Sequence, residues 1–323
     1  MTTIKDVAKA AGITVTTVSR VLNNRGYISD LTRKKVYEVM EQLNYQPNEI
    51  ARSLHRSKSN ILGIIVPMVS HPFFAELTNY VEFYAYQAGY KVLICNSYSD
   101  SIKEKDYIGM INRNQVDGFI ICSYTKDTSE YINSSLPIVT IDRDFSNGVP
   151  FITSDNYNGG RLATNLLIDK GCKKIAHISG PLEINTSANN RSKAFIDVVL
   201  ERNIDYVIEQ SKVDTLENYK KLAYRIFEEH PDIDGIFAGS DLLAVSLIYV
   251  ASLLGKNITK DLKIVGYDDI DIASMTIPPL TTIKQSIEKM GQLAVKILID
   301  KIEKKEVSIE NVLPVSIVER KTT

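Results

Sequence analysis

Beyond residue 60 the chain alternates short apolar runs with longer amphipathic stretches. ILGIIV (61–66), KVLICN (91–96), GFIIC (118–122) and PIVTID (137–142) are followed by KKIAHIS (173–179), GIFAG (235–239) and LKIVGYD (262–268). Runs of this length, apolar at successive positions and bounded by turn residues, read as strands buried on both faces. Between them the spacing predicts helices: about 73–87, stopped at Gly89, one reaching about Asn114, another ahead of Pro137, and one after Asn158-Gly159-Gly160. Repeated strand–helix order predicts parallel sheets with helices on both faces. It runs through two rounds, so the expected class is α/β with two doubly wound lobes. The first lobe spans about 61–158 plus 287–315, and the second about 159–286 plus a C-terminal strand.

The N-terminal 46 residues have a different texture, with a hinge and polar linker at 47–60 leading to the core. Thr3 and Asp6 stand at capping-box spacing before a helix that ends at Gly12. Thr14 caps a second helix whose Val15, Val18, Val21 and Leu22 recur at three- and four-residue spacing, leaving Thr16, Thr17, Ser19, Arg20 and Asn23 to face elsewhere. A third helix, about 32–43, brings Val36, Val39, Met40 and Leu43 to the core and clusters Arg33, Lys34 and Lys35 at its start. Short hydrogen-bonding side chains read base edges in a major groove, where a bidentate arginine on guanine is worth roughly 1–3 kcal/mol; lysines grip phosphate without reading sequence. Arg20 is the best single candidate for base reading. Two helices around a glycine also occur in ordinary bundles, and charge separates the two readings. Residues 1–58 hold ten Lys+Arg against five Asp+Glu, about +5, which leaves about −6 for the rest of a chain of net charge −1. A polyanion-binding end is therefore localised to the N-terminus.

Composition agrees with this division. At 323 residues, 44% hydrophobic and 24% charged, the chain is an ordinary globular sequence too long for a single core. Its three cysteines, Cys95, Cys122 and Cys172, are odd in number and read as buried reduced thiols. No apolar run reaches membrane-spanning length and MTTIKD has no signal-peptide character, so a cytoplasmic protein without membrane contact is expected. There is no GxSxG elbow or GxxxxGK[ST] loop, and His55, His71, His177 and His230 lack metal-ligand spacing. Neither catalysis nor a cofactor or metal is expected, although Asp268-Asp269 could serve as acid–base partners.

Ligands of doubly wound sheets sit at the carboxyl ends of strands, which with two lobes means the cleft between them. The strand ends supply Ser70 to Phe74, Asp142 and Arg143, the Asn190-Arg191 loop, Ser240-Asp241, Asp268-Asp269 and Gln285. Carboxylates, a guanidinium and an amide beside aromatic faces suit a polyhydroxylated ring. Any one of these residues could equally be a cap or a surface ion pair; their coincidence on six loops carries the reading.

TVSRVLN (17–23), NEIARSL (48–54), the GSD loop (239–241), GYDD (266–269) and IPPLTTIKQ (277–285) make the whole chain resemble the LacI/GalR family of repressors. That resemblance implies DNA binding through Thr14, Val15, Thr16, Thr17, Ser19, Arg20 and Asn23, with Val15, Thr16 and Arg20 at the base-reading positions. It adds Asn48, Ala51, Arg52 and Leu54 of the hinge, Leu54 wedging into the minor groove at a cost of a few kcal/mol of unstacking. With little core of its own, the hinge is expected to be helical only when two copies pair on DNA. A homodimer on a palindromic operator follows, since one head reads only a half-site, and three residues after Arg320 are too few for a tetramerising heptad tail.

The core also resembles periplasmic ribose-binding proteins. By that likeness Phe73, Phe74, Asp142, Arg143, Arg191, Asp268 and Gln285 are ligand contacts. Three positions depart: His71 and Ser240 stand where ribose binders have asparagine, and Asp214-Thr215 lacks an aromatic lid. Ribose leads, with a fructose unit or sucrose next. Inducer-driven closure releasing the operator is the implied mechanism. A purine corepressor, a phosphocarrier protein as coeffector, and a sugar-binding or sugar-converting protein on the same scaffold are the competing readings.

Overall fold

The computed structural model describes residues 2–46, 58–113, 115–123, 125, 132, 135–211 and 215–323, in two compact units, Met1–Ser59 and Asn60–Thr323. Hinge residues Asn48, Ala51, Arg52 and Leu54, the helix expected ahead of Pro137, Asn114 and Asp214 lie outside the described residues.

The first unit holds α1 (Ile4–Ala11), α2 (Val15–Leu22) and α3 (Asp30–Gln42). At α1 the Thr3 amide and hydroxyl both donate to Asp6 Oδ2 at 2.8 Å, and Gly12 closes the helix at φ 64°. Thr14 Oγ1 accepts from the Thr17 amide at 3.1 Å to start α2. The third helix begins two residues earlier than expected, because Ser29 rather than a later residue accepts from the Thr32 amide. Val7, Ala8, Ala11, Val18, Val21, Val36 and Val39 form the small core. Val15 does not join it, being 39% exposed. Of the four positions in the apolar stripe of α2, the first, at the helix start, faces solvent.

The second unit continues with β1 (Ile61–Val66), α4 (Pro72–Gln87), β2 (Lys91–Asn96), α5 (Ser101–Asn112), β3 (Gly118–Ile121), β4 (Ile138–Ile141) and β5 (Phe151–Ser154). Then come α6 (Asn156–Asp169), β6 (Lys174–Ser179), α7 (Asn189–Glu201), β7 (Asp205–Gln210), α8 (Leu216–Glu229), β8 (Gly235–Ala238) and α9 (Asp241–Leu253). The chain ends with β9 (Lys263–Asp268), α10 (Asp271–Met275), β10 (Thr281–Lys284), α11 (Ile287–Ile302), β11 (Glu310–Leu313) and β12 (Ser316–Val318).

These strands build two six-stranded sheets, β11-β5-β4-β3-β1-β2 and β12-β10-β9-β8-β6-β7. All pairings are parallel except β12 against β10. The architecture is α/β with an N-terminal helix-turn-helix. Strands β1, β3, β4, β6, β8 and β9 are buried on both faces, which is why they read as continuous apolar runs. The chain passes between the sheets three times, at 154–156, 284–287 and 313–316, so α11 and β11 return to the first lobe and β12 closes the second. Apolar clusters flank each sheet.

Asn158-Gly159-Gly160 was expected to precede a helix but lies inside α6, which starts at Asn156 with Asp155 as its cap. All three cysteines are buried and free, and burial pushes the Cys95 thiol up to about 11 and Cys172 up to about 12. No described helix is long and apolar enough to cross a membrane.

Candidate functional site

On the head, the candidate residues fall into two groups. Thr14 and Thr17 hydroxyls lie 2.9 Å apart, and Asn23 Nδ2 donates to Ser19 Oγ at 3.3 Å. These four are engaged with one another. Thr16 and Arg20, one helical turn apart, and the partly exposed Val15 point outward, and among the described residues the first two form no side-chain hydrogen bond within the head.

In the core, the carboxyl edges of both sheets face one cleft with about 810 Å³ of empty space including its mouth. From the first lobe it takes His71, Phe73, Phe74 and Asp142; from the second, Arg191, Ser240, Asp268 and Gln285. His71 stands at the N-cap position of α4 without a side-chain capping bond, Pro72 occupies the first turn, and both phenyl rings that follow line the cleft. The rings meet edge to face, centroids 5.2 Å apart at 78°, with the His71 ring 5.3 Å from Phe74. Burial lowers the His71 pKa to about 4, so the ring is neutral, and its Nδ1 has no partner among the described residues.

Asp142 follows β4 in a left-handed conformation, φ 56°, and accepts the Thr153 hydroxyl at 2.6 Å. Asp268 ends β9 at φ 124° and accepts from Gln285 Nε2 at 2.7 Å. Left-handed backbone at non-glycine residues holds strain and clusters at functional sites. Burial raises the Asp268 carboxyl to about 7, while Arg191 and the Gln285 bond pull the other way. Gln285 Oε1 has no partner among the described residues. Arg191 lies in the first turn of α7 rather than in a loop. Its Nε donates to Asn156 Oδ1 at 2.6 Å and its Nη1 to the Gly239 carbonyl at 2.8 Å, with the guanidinium 3.5 Å above the Tyr267 ring. Ser240 caps α9, accepting from the Leu243 amide at 3.3 Å.

Of the strand-end residues, Ser70 and Pro72 do not line the cleft, and four more lie elsewhere. Arg143, one residue beyond Asp142, turns back into the first lobe, where Nη1 donates to the Ser123 and Thr125 carbonyls and the guanidinium packs on Phe145. Asp241 is sealed in the second lobe, taking the Ile270 amide at 3.0 Å and the Thr282 hydroxyl; burial first, and the nearby Asp268 charge next, raise its carboxyl. Asp269 is ion-paired to Arg320 at 2.6 Å and Lys284 at 3.5 Å, so Asp268-Asp269 is not an acid–base pair facing one ligand. Asn190 borders a neighbouring surface groove instead.

The structure adds cleft residues that the strand-end reasoning passed over. His177, buried mid-strand in β6, lines it beside Ser192 and Tyr219. Its Nδ1 sits 3.0 Å from the Phe237 carbonyl, which can only accept, so Nδ1 carries the proton and Nε2 accepts the Ser192 hydroxyl at 2.9 Å. Burial lowers its pKa to about 4. A single histidine inside an apolar strand was the signal available in the sequence.

Residues 3–48 match bacterial regulatory proteins of the lacI family, and residues 164–323 match a periplasmic binding protein-like domain. The chain is 39% identical to the ribose operon repressor of Halalkalibacterium halodurans, over all of this chain and 97% of that one. It is 36% identical to the sucrose operon repressor of Streptococcus mutans, over 97% of each. Among solved structures, the lac repressor dimer bound to operator and the anti-inducer ONPF has a TM-score of 0.89 at 27% identity, covering 99% of this chain and 98% of that one. A periplasmic binding protein/LacI transcriptional regulator from Alkaliphilus metalliredigens complexed with D-xylulofuranose has a TM-score of 0.75 at 32% identity, over 82% of this chain and 99% of that one.

Proposed function

The chain belongs to the lacI family of bacterial regulatory proteins and is a sugar-operon transcriptional repressor; on that premise we propose that its effector is a free pentose, ribose first, bound in the interlobe cleft and releasing the operator. The observation that carries this reading is the donor set in one buried place. Asp142 and Asp268 accept, Arg191 donates, Gln285 and His71 each hold a polar atom unpartnered among the described residues, and Phe73 and Phe74 offer apolar surface. A furanose presents alternating hydroxyls and C–H faces that fit such a set, charge-assisted bonds to carboxylates fixing its orientation.

A planar purine is disfavoured by the edge-to-face phenyl pair, which forms no parallel slot, and by two buried carboxylates. The relatives include both ribose and sucrose operon repressors, and a sugar larger than a pentose is the second reading, favoured by a cleft that extends past Arg191 to Ser211 and Tyr219. On the head, Val15, Thr16 and Arg20 read bases; Asn48, Ala51, Arg52 and Leu54 complete the contact by resemblance to the family. The working unit is a homodimer on a palindromic operator.

Titration calorimetry with ribose, xylulose, sucrose and hypoxanthine tests the effector. Saturable heat from ribose, lost in Arg191→Ala because truncation leaves buried partners unpaired at about 1–3 kcal/mol each, is the expected result. Heat from hypoxanthine with tightened operator binding would overturn it.

A further inference from the structure

Asp142 of the first lobe and Arg191 of the second are joined behind the cleft by a continuous hydrogen-bonded chain. Arg191 Nε donates to Asn156 Oδ1 at 2.6 Å, Asn156 Nδ2 donates to Thr153 Oγ1 at 2.9 Å, and the Thr153 hydroxyl donates to Asp142 Oδ1 at 2.6 Å. Two of the three directions are fixed by chemistry alone. A guanidinium can only donate, so the amide oxygen of Asn156 faces it; the other amide proton reaches the Ser154 carbonyl at 3.0 Å, which can only accept. Thr153 accepts from the amide and has two acceptors for its proton, the carboxylate at 2.6 Å and the Ser154 carbonyl at 3.2 Å, of which the shorter bond to the charged group is preferred. Donors therefore run one way, from cation to anion, an order in which each bond polarises the next. Asn156 and Thr153 are 2% and 5% exposed, and both sit where the chain crosses from β5 to α6, the first of the three interlobe passages. A separate bond spans the lobes at the same place: the Ser187 amide donates to the Asp142 carbonyl at 2.8 Å.

We propose that Asn156, with Thr153, is a positioning residue that locks the cleft's carboxylate and guanidinium into one interlobe geometry. This rests on the reading of the cleft as a sugar site. The relay ties the left-handed turn at Asp142, whose backbone conformation is strained, to a guanidinium already stacked on Tyr267. A ligand touching Asp142 and Arg191 meets two ends of one preorganised unit, so it binds without ordering them separately.

Thr153→Val removes the hydroxyl at nearly constant shape, and Thr153→Ser restores it. Asn156→Asp keeps the acceptor toward Arg191 and deletes the donor toward Thr153. We expect Thr153→Val and Asn156→Asp to raise the ribose Kd about tenfold, the scale of one hydrogen bond to a charged group, while Thr153→Ser stays within about twofold of wild type. Amide exchange at Ser187, read on the full chain without sugar, should rise about tenfold in Thr153→Val alone of the two threonine variants. Equal Ser187 exchange and equal Kd in wild type and Thr153→Val, or equal losses in the valine and serine variants, would overturn the relay. If wild type binds no ribose, the effector reading falls, and the exchange comparison decides the relay by itself.

Discussion

Burial holds the Asp268 carboxyl at about 7, well above the usual 3.8. Below 3.8 both the folded and unfolded chains carry its proton. Between 3.8 and 7 the folded chain keeps a proton the unfolded chain has released, so this residue's contribution to stability is lost as pH rises through that window and is gone above it. A sugar whose hydroxyls donate to the carboxylate favours the ionised form and lowers the pKa. Ribose affinity should therefore increase from pH 5.5 to 8, with proton release on binding near pH 6.5 that calorimetry in buffers of different ionisation enthalpy detects. His71 and His177, both held neutral near pKa 4, do not titrate in this range. Asp268→Asn should abolish the pH dependence together with binding, and should raise the thermal midpoint at pH 8 more than at pH 5. An affinity independent of pH would show that the carboxylate does not meet the ligand. Asp268 was visible in the sequence because it ends a recognisable apolar strand, whereas Arg191, in the first turn of α7, and Gln285, after the short β10, were reached through the family resemblance. Asn156 and Thr153 were not, because β5 is four residues with two hydroxyls, FITS, and carries no apolar run. Neighbouring Asp142 and Arg143 go to opposite sides of the chain, a divergence set by the left-handed turn between strands rather than by residue type.

The same limit holds for whole elements. Strands buried on both faces announce themselves, whereas β7 and β11 sit at sheet edges with half their residues exposed, and β12 has only three residues, so none forms a continuous apolar run. Gly159 and Gly160 look like turn punctuation, yet they lie in α6 and serve close packing. A Cβ at Gly160 would stand 2.6 Å from the Arg191 carbonyl oxygen and 2.9 Å from Ala194 Cβ, and one at Gly159 would stand 2.6 Å from Tyr267 Oη. The two glycines let α6 approach α7 and β9, the elements that carry Arg191 and Asp268. Two effects compete in Gly160→Ala: a gain of about 1 kcal/mol in helix propensity, and an overpacking penalty of about 1–3 kcal/mol. The backbone oxygen of Arg191 cannot swing aside, so the penalty wins. Gly160→Ala should unfold at lower denaturant concentration and, by displacing α7, lose ribose affinity by about tenfold or more. A stabilised variant would show that α6 and α7 have room to part.

At the scale of the molecule, the basic head and the acidic remainder carry separate tasks that one free energy must link. The charge of about +5 on head and hinge together, residues 1–58, makes operator binding fall steeply with salt, while a neutral sugar enclosed in a buried cleft feels little of it. Sugar can move the operator equilibrium only by binding the two interlobe states with different affinity. Coupling of this kind is typically about 1–3 kcal/mol, or roughly 5–150-fold, and it is reciprocal. If saturating ribose weakens operator binding by a given factor, saturating operator must weaken ribose binding by the same factor. Anisotropy on labelled operator gives the first number and calorimetry on the preformed complex gives the second, both at one salt concentration. Equality within error identifies ribose in the cleft as the species that releases DNA. A large loss of operator affinity with an unchanged ribose Kd would instead mean that ribose acts somewhere other than the site titrated, since no binding cycle closes otherwise. The Thr153→Val variant then separates binding from transmission: if the relay only positions the ligand groups, ribose affinity falls in both states alike and the coupling factor survives.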